Sequence, residues 1–116
     1  MQTAFVDTRK LLSEAKFYDG YSRFNDELER YETWDEAVDR VMSMHEGFYS
    51  SKMNKITEYV EEARDAYKQQ YVLGAQRALQ FGGEQILKHQ MRMYNCTSSY
   101  ADRPEFFGEV FYILLC

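Results

Sequence analysis

Cys96 is the residue of this sequence best placed to do chemistry. Asn95, Thr97, Ser98 and Ser99 surround it with hydrogen-bonding groups instead of a purely apolar run. A thiol in that setting could do redox work, although a lone cysteine also serves well as a small buried hydrophobe. Cys116, at the end of an apolar stretch, reads as packing. His45 and His89 are isolated, without a Cys, Asp or Glu at the spacing metal ligands take on a helix, so no metal site is expected. Glu61-Glu62 and Asp26-Glu27 read as solvated charge, not as paired catalytic carboxylates. Gly82-Gly83 is followed by no Lys-Ser/Thr and preceded by no strand, which excludes a phosphate loop.

The elements that must position Cys96 begin with a short helix from Asp7 to about Phe17, ended near Asp19-Gly20. Tyr21 to Tyr31, charged and aromatic, reads as an irregular connection. Thr33-Trp34-Asp35-Glu36 has the form of a capping box, and Trp34, Val38, Val41 and His45 then repeat on one face. Asp35, Glu36, Asp39 and Arg40 take the other face, and Gly47 is a plausible end. A second amphipathic helix is expected from about Lys52 to Tyr71, with Ile56, Val60, Ala63 and Tyr67 inward, so that the two form an αα-hairpin.

After Gln70 the helical period is broken by Gly74, Gly82 and Gly83, with a brief helix expected over Glu84 to Gln90. Met91 to Thr97 alternates loosely and is expected to be a strand, but one strand cannot satisfy its own backbone. Asp102-Arg103-Pro104-Glu105 reads as a helix start with Asp102 as N-cap. The run from Phe106 to Cys116 is apolar on nearly every side, so it calls for burial on nearly every side. A strand without neighbours and a helix without a cover together describe one piece of a larger core.

The chain has 116 residues, 45% of them hydrophobic and 28% charged, which suits a single folded domain and leaves no room for a complete barrel enzyme. Residues 1–66 carry 15 acids against 9 bases and residues 67–116 carry 4 against 5, so the first part is the solvated, charge-laced one. A net charge of −5 without a basic stripe argues against nucleic-acid binding. The lack of a spanning apolar run or signal-like start argues for a cytoplasmic protein off the membrane, with reduced thiols.

From about Trp34 onward the sequence resembles the start of a ribonucleotide reductase catalytic chain, most closely the adenosylcobalamin-dependent class. The resemblance lies in Tyr21-Ser22-Arg23, in Glu32 through Val41, in Arg77-Ala78-Leu79-Gln80-Phe81-Gly82-Gly83, in Asn95-Cys96-Thr97-Ser98-Ser99-Tyr100, and in Phe106-Phe107 through to Cys116. Order and spacing of the blocks carry it, not any single block. Where the family usually has Pro and Gly before the arginine, this chain has Gly74 and Gln76.

The resemblance implies a mainly α chain, with an N-terminal helical region over 1–73. Residues 74–116 would open a ten-stranded α/β barrel, with its first strand at about 91–97 and a helix at about 104–116, completed by another chain. It implies that Cys96 is one of the two thiols oxidised to a disulfide as ribonucleotides become deoxyribonucleotides. Arg77, Ala78 and Asn95 become candidate substrate neighbours. Implied partners are a second polypeptide carrying the rest of the barrel, the ribonucleotide substrate, and a thiol reductant such as thioredoxin or glutaredoxin. Adenosylcobalamin would act in the assembled enzyme, held by the part outside this sequence, which would also bring the second redox cysteine and the radical-bearing cysteine. The reading is thus a split reductase subunit. A non-catalytic helical interaction or regulatory protein that binds a reductase subunit is the rival, and an interrupted reading frame a third possibility.

Overall fold

The computed structural model of the protein describes residues 7–115, so Cys116, expected to pack, lies outside them. Helix α1 spans Thr8–Gly20, a minimal antiparallel hairpin pairs β1 (Phe24–Asn25) with β2 (Arg30–Tyr31), and α2 spans Trp34–Phe48. Helix α3 (Met53–Lys68), the short α4 (Gln76–Phe81) and α5 (Glu84–Lys88), and finally α6 (Glu105–Leu115) complete the order, with 3-10 turns at Ser50–Lys52 and Gln90–Met93. The mainly helical class expected from the sequence is what the structure shows. The connection at 21–31 is more regular than expected, since Phe24 faces Tyr31 and Asn25 faces Arg30 across the hairpin.

Helix α2 is the centre because its start is fixed locally and its apolar stripe is long. The Thr33 hydroxyl accepts from the Glu36 amide at 3.4 Å while the Glu36 carboxylate accepts from the Thr33 amide at 2.8 Å, the capping box read from the sequence. Arg30 also reaches Glu36, and its hydrogen bond comes first among the contacts that hold this exposed carboxyl at about 2 instead of the usual 4.5. A carboxyl pKa depressed in the folded state stabilises fully above pH 4.5 and loses that contribution as pH falls toward 2. Thr33→Ala should cost about 1 kcal/mol in urea unfolding at neutral pH. Titrating wild type toward pH 2 should narrow the difference, because protonated Glu36 no longer completes the box.

Ala37, Val38, Val41 and Met42 of α2 pack against Tyr67 of α3 and against Ala78 and Leu79 of α4, with Phe17, Trp34, Val60 and Met93 closing the edges. On α3, Tyr67 is buried and Ile56 and Val60 are half-buried, but Ala63 is exposed, contrary to the expected inward face. Arg64 takes the inner flank instead. Its guanidinium bonds Asp39 of α2 at 2.8 Å and also binds Glu46, while Lys68 reaches the second oxygen of Asp39 at 2.8 Å. Burial raises the Asp39 carboxyl, but hydrogen bonds from Lys68 and Arg64 outweigh it and leave the carboxyl below its usual range. The αα-hairpin is therefore joined by apolar contact on one side and ion pairs on the other.

The later segment departs from the sequence reading in two places. The strand expected at 91–97 is not formed. Gln90–Met93 is a 3-10 turn and the chain from Tyr94 to the start of α6 is irregular, because no neighbouring strand in the described residues offers partners for its backbone. Asp102 does not serve as the expected cap either. Its carboxylate binds the Arg103 guanidinium at 2.7 Å, and the first amides of α6, Phe106 and Phe107, donate to the carbonyls of Arg103 and Pro104.

Helix α6 has the uncovered character the sequence called for. Phe106, Val110 and Ile113, at i, i+4 and i+7, are half-buried, while Phe107 and Phe111 are 73% and 66% exposed and Tyr112, Leu114 and Leu115 are also open. Helix α1 likewise buries no residue. The radius of gyration is accordingly 18.7 Å, against about 13 Å for a compact domain of this length. Among the described residues no helix is long and apolar enough to cross a membrane.

Candidate functional site

The site is built around α4, a helix too short to hold itself in place by its own hydrogen bonds. It is clamped at its C-terminal end by two arginines. Arg40 of α2 donates to the Leu79 and Gly82 carbonyls at 3.0 and 2.9 Å, and Arg23, next to β1, donates to the Gln80 carbonyl at 3.3 Å. Leu79 and Gln80 are in the last turn of α4 and Gly82 caps it, so these carbonyls lie where the helix leaves its acceptors without internal partners and where a cation is favoured. Glu32 neutralises Arg40 through paired contacts of 2.9 and 3.0 Å, and both side chains are only 14% exposed. Burial, then the charge of Arg40, lowers the pKa of Arg23.

The sequence reading placed Arg40 on the solvent face, and the structure corrects this. The guanidinium curls back under α2, between Glu32 and the end of α4. Its partners lie 39 and 42 residues further along the chain, so no local pattern reveals them. The only sequence signal was that Arg23, Glu32 and Arg40 all fall within the blocks that resemble the reductase family.

Gly82 and Gly83 complete the clamp for two different reasons. A Cβ on Gly82 would lie 2.2 Å from the Ala78 carbonyl oxygen and 3.3 Å from Val41, so α4 could not settle on α2. Gly83 has φ 138°, a region essentially reserved for glycine, and its amide donates to the Met44 sulfur at 3.3 Å.

With α4 fixed, Arg77 projects from its first turn into an open cleft of about 570 Å³, whose walls include Tyr21, Gln80, Met93 and Asn95. The Arg77 Nε donates to the Asn95 side-chain oxygen, and its guanidinium carbon stands 5.4 Å above the Phe81 ring. The structure therefore brings together two of the expected site residues, Arg77 and Asn95. Ala78 is elsewhere: it is 3% exposed and packs in the core behind the cleft. Cys96 follows Asn95 directly, is exposed and unpaired in a disulfide, and lies outside the residues that wall the cleft.

The cleft can hold an anionic or polar ligand through one guanidinium and side-chain amides, with its far side open. At about 570 Å³ and open to one side it offers no enclosing cradle for a corrin ring, so the described residues do not form an adenosylcobalamin site. Among the described residues no group of three or more His, Cys, Asp or Glu could hold a metal ion.

No protein-family model, curated protein or solved structure matches the chain.

Proposed function

We propose that the chain is the N-terminal part of a ribonucleotide reductase catalytic subunit and works only when joined by the polypeptide that supplies the rest of the barrel. The observation that carries this reading is α6, an apolar helix with no buried residue, one half-buried stripe and two stripes open. The irregular segment with exposed Cys96 supports it, because an added neighbouring strand would give that backbone partners and bring the thiol under cover.

In the assembled enzyme Cys96 supplies one thiol and the remaining barrel the other. Two thiols give one disulfide, two electrons and two protons. Across the reaction the ribose 2′-hydroxyl is replaced by hydrogen and its oxygen leaves as water. A dithiol reductant of the thioredoxin or glutaredoxin kind then restores both thiols by exchange. Arg77 and Asn95 hold the substrate edge nearest this thiol, while Ala78 seats α4 from behind.

The test mixes this chain with a polypeptide carrying the remaining barrel and measures deoxyribonucleotide formation with a dithiol present. Turnover is expected with the wild-type chain and none with Cys96→Ser, since serine cannot enter a disulfide. Undiminished turnover by Cys96→Ser would remove the redox role. A complex that forms around an already complete reductase, without needing Cys96, would establish the regulatory-protein reading instead.

A further inference from the structure

We propose that the pocket between α1 and the adjoining ends of α2 and α3 binds a neutral planar heterocycle of nucleobase type. It encloses about 420 Å³, within the roughly 300–1,000 Å³ of small-molecule sites. Its base is a row of rings: Phe17 meets Trp34 edge to face at 5.5 Å, and Trp34 meets Tyr67 in the same way at 5.7 Å. Tyr67 is buried, but Phe17 and Trp34 keep part of their surface open. Helix α1 forms one side of the pocket, contributing Phe17 while burying no residue of its own.

Two amides complete the pocket. Gln70 and Gln76 both line it and are exposed, and each offers a donor and an acceptor, the pairing that the edge of a base requires. The Trp34 indole N–H is already given to the Lys68 carbonyl at 3.1 Å, so Trp34 meets a ligand through its apolar ring surface. Glu14 and Lys16 stand at the rim with opposite charges, which favours a neutral ring over a phosphate-bearing ligand.

Gln70 supplies an independent observation. It follows the cap of α3 with φ 61°, and the Tyr71 amide donates back to the Ala66 carbonyl at 2.9 Å while the Gln70 amide donates to Tyr67 at 3.0 Å. That helix ending places its left-handed residue where glycine or asparagine is usual. Glutamine there is strained, and what the strain retains is an amide at the mouth of an aromatic pocket. The pocket adjoins the Arg77 cleft through Tyr21 and Gln76 but uses neither Arg77 nor Cys96, so the inference does not rest on the reductase reading.

Trp34 is the single tryptophan, which makes it the reporter. Adenine titrated into the full chain, with excitation beyond the adenine absorption band, should give a saturable change in Trp34 emission. Gln70→Gly should raise the melting temperature by relieving the left-handed strain and yet weaken adenine binding about fivefold to tenfold, the loss expected for one hydrogen bond. Gln76→Ala should weaken it similarly. The proposal is overturned by an unsaturable signal, by unchanged affinity in Gln70→Gly, or by toluene binding as tightly as adenine, which would mark a merely apolar cleft. It is equally overturned if adenosine monophosphate binds far more tightly than adenine and Arg77→Ala abolishes the difference, since the ligand would then belong to the neighbouring cleft.

Discussion

Arg40→Met is expected to cost about 3 kcal/mol of folding stability, read as a fall in the urea midpoint with little change in slope. The side chain is 14% exposed and bridges three parts of the chain: the Tyr21 carbonyl after α1, Glu32 before α2, and the Leu79 and Gly82 carbonyls at the end of α4. Methionine keeps most of the volume, so the loss is electrostatic. It leaves the Glu32 carboxylate, equally enclosed, without its cation, and leaves two helix-terminal carbonyls without a donor. Arg23 would remain on the Gln80 carbonyl at 3.3 Å, but one bond does not replace the six that Arg40 donates.

The double variant Arg40→Met with Glu32→Leu separates the pair from the clamp. If most of the cost comes from stranding Glu32, removing both charges should recover part of the stability, as it does when buried ion pairs are exchanged for apolar groups. If the cost comes from releasing α4, the double variant should remain as unstable as the single, and the Arg77 cleft should lose its shape in both. A cost below about 0.5 kcal/mol in the single variant would class the contact with ordinary surface pairs and deny Arg40 its organising role.

The difference between what the sequence disclosed and what it hid is one of distance along the chain. The start of α2 was legible because Thr33 and Glu36 are three residues apart and bond each other whatever the rest of the fold does. The stripe of Val38 and Val41, the break at Gly82-Gly83 and the bareness of α6 were legible for the same reason, since each follows from local periodicity or backbone sterics. Arg40 was misplaced because its helical phase points outward while its long side chain folds back to carbonyls around 40 residues away. Ala63 was misplaced because Arg64, one position on, had acidic partners on α2 that an apolar pattern does not register.

The segment at 91–97 is a different case. Its composition suits a strand, but strand formation is a property of the pair, and the described residues hold no second strand for it. The Arg77 to Asn95 hydrogen bond was only half visible: both residues stood in blocks that resemble the reductase family, yet nothing in their spacing showed that they touch. The pocket of Phe17, Trp34 and Tyr67 is not legible in the sequence because its rings come from three different helices, and only the tertiary structure shows that Phe17 and Trp34 stay partly open.

If α6 is the surface that joins the proposed barrel polypeptide, Phe107→Asp combined with Phe111→Asp should weaken that association by about a thousandfold while leaving the isolated chain folded. Both positions lie on an outward stripe of α6, at 73% and 66% exposure, so charge there is solvated in the free chain and its helix content and melting temperature should hardly move. In the proposed complex the same positions would become interior. Two buried phenylalanines at about 2 kcal/mol each already account for roughly three powers of ten in affinity. An unpaired carboxylate at either place adds to that. Titration of the labelled barrel polypeptide measures the change directly, and light scattering should show that the free variant aggregates less than wild type. Phe106→Asp provides the contrast, because Phe106 is already half-buried in the free chain, so this substitution should lower the melting temperature as well. Unaltered association in the double variant would mean that α6 is not the joining surface, and the apolar helix would lose its place as the main support for an incomplete barrel.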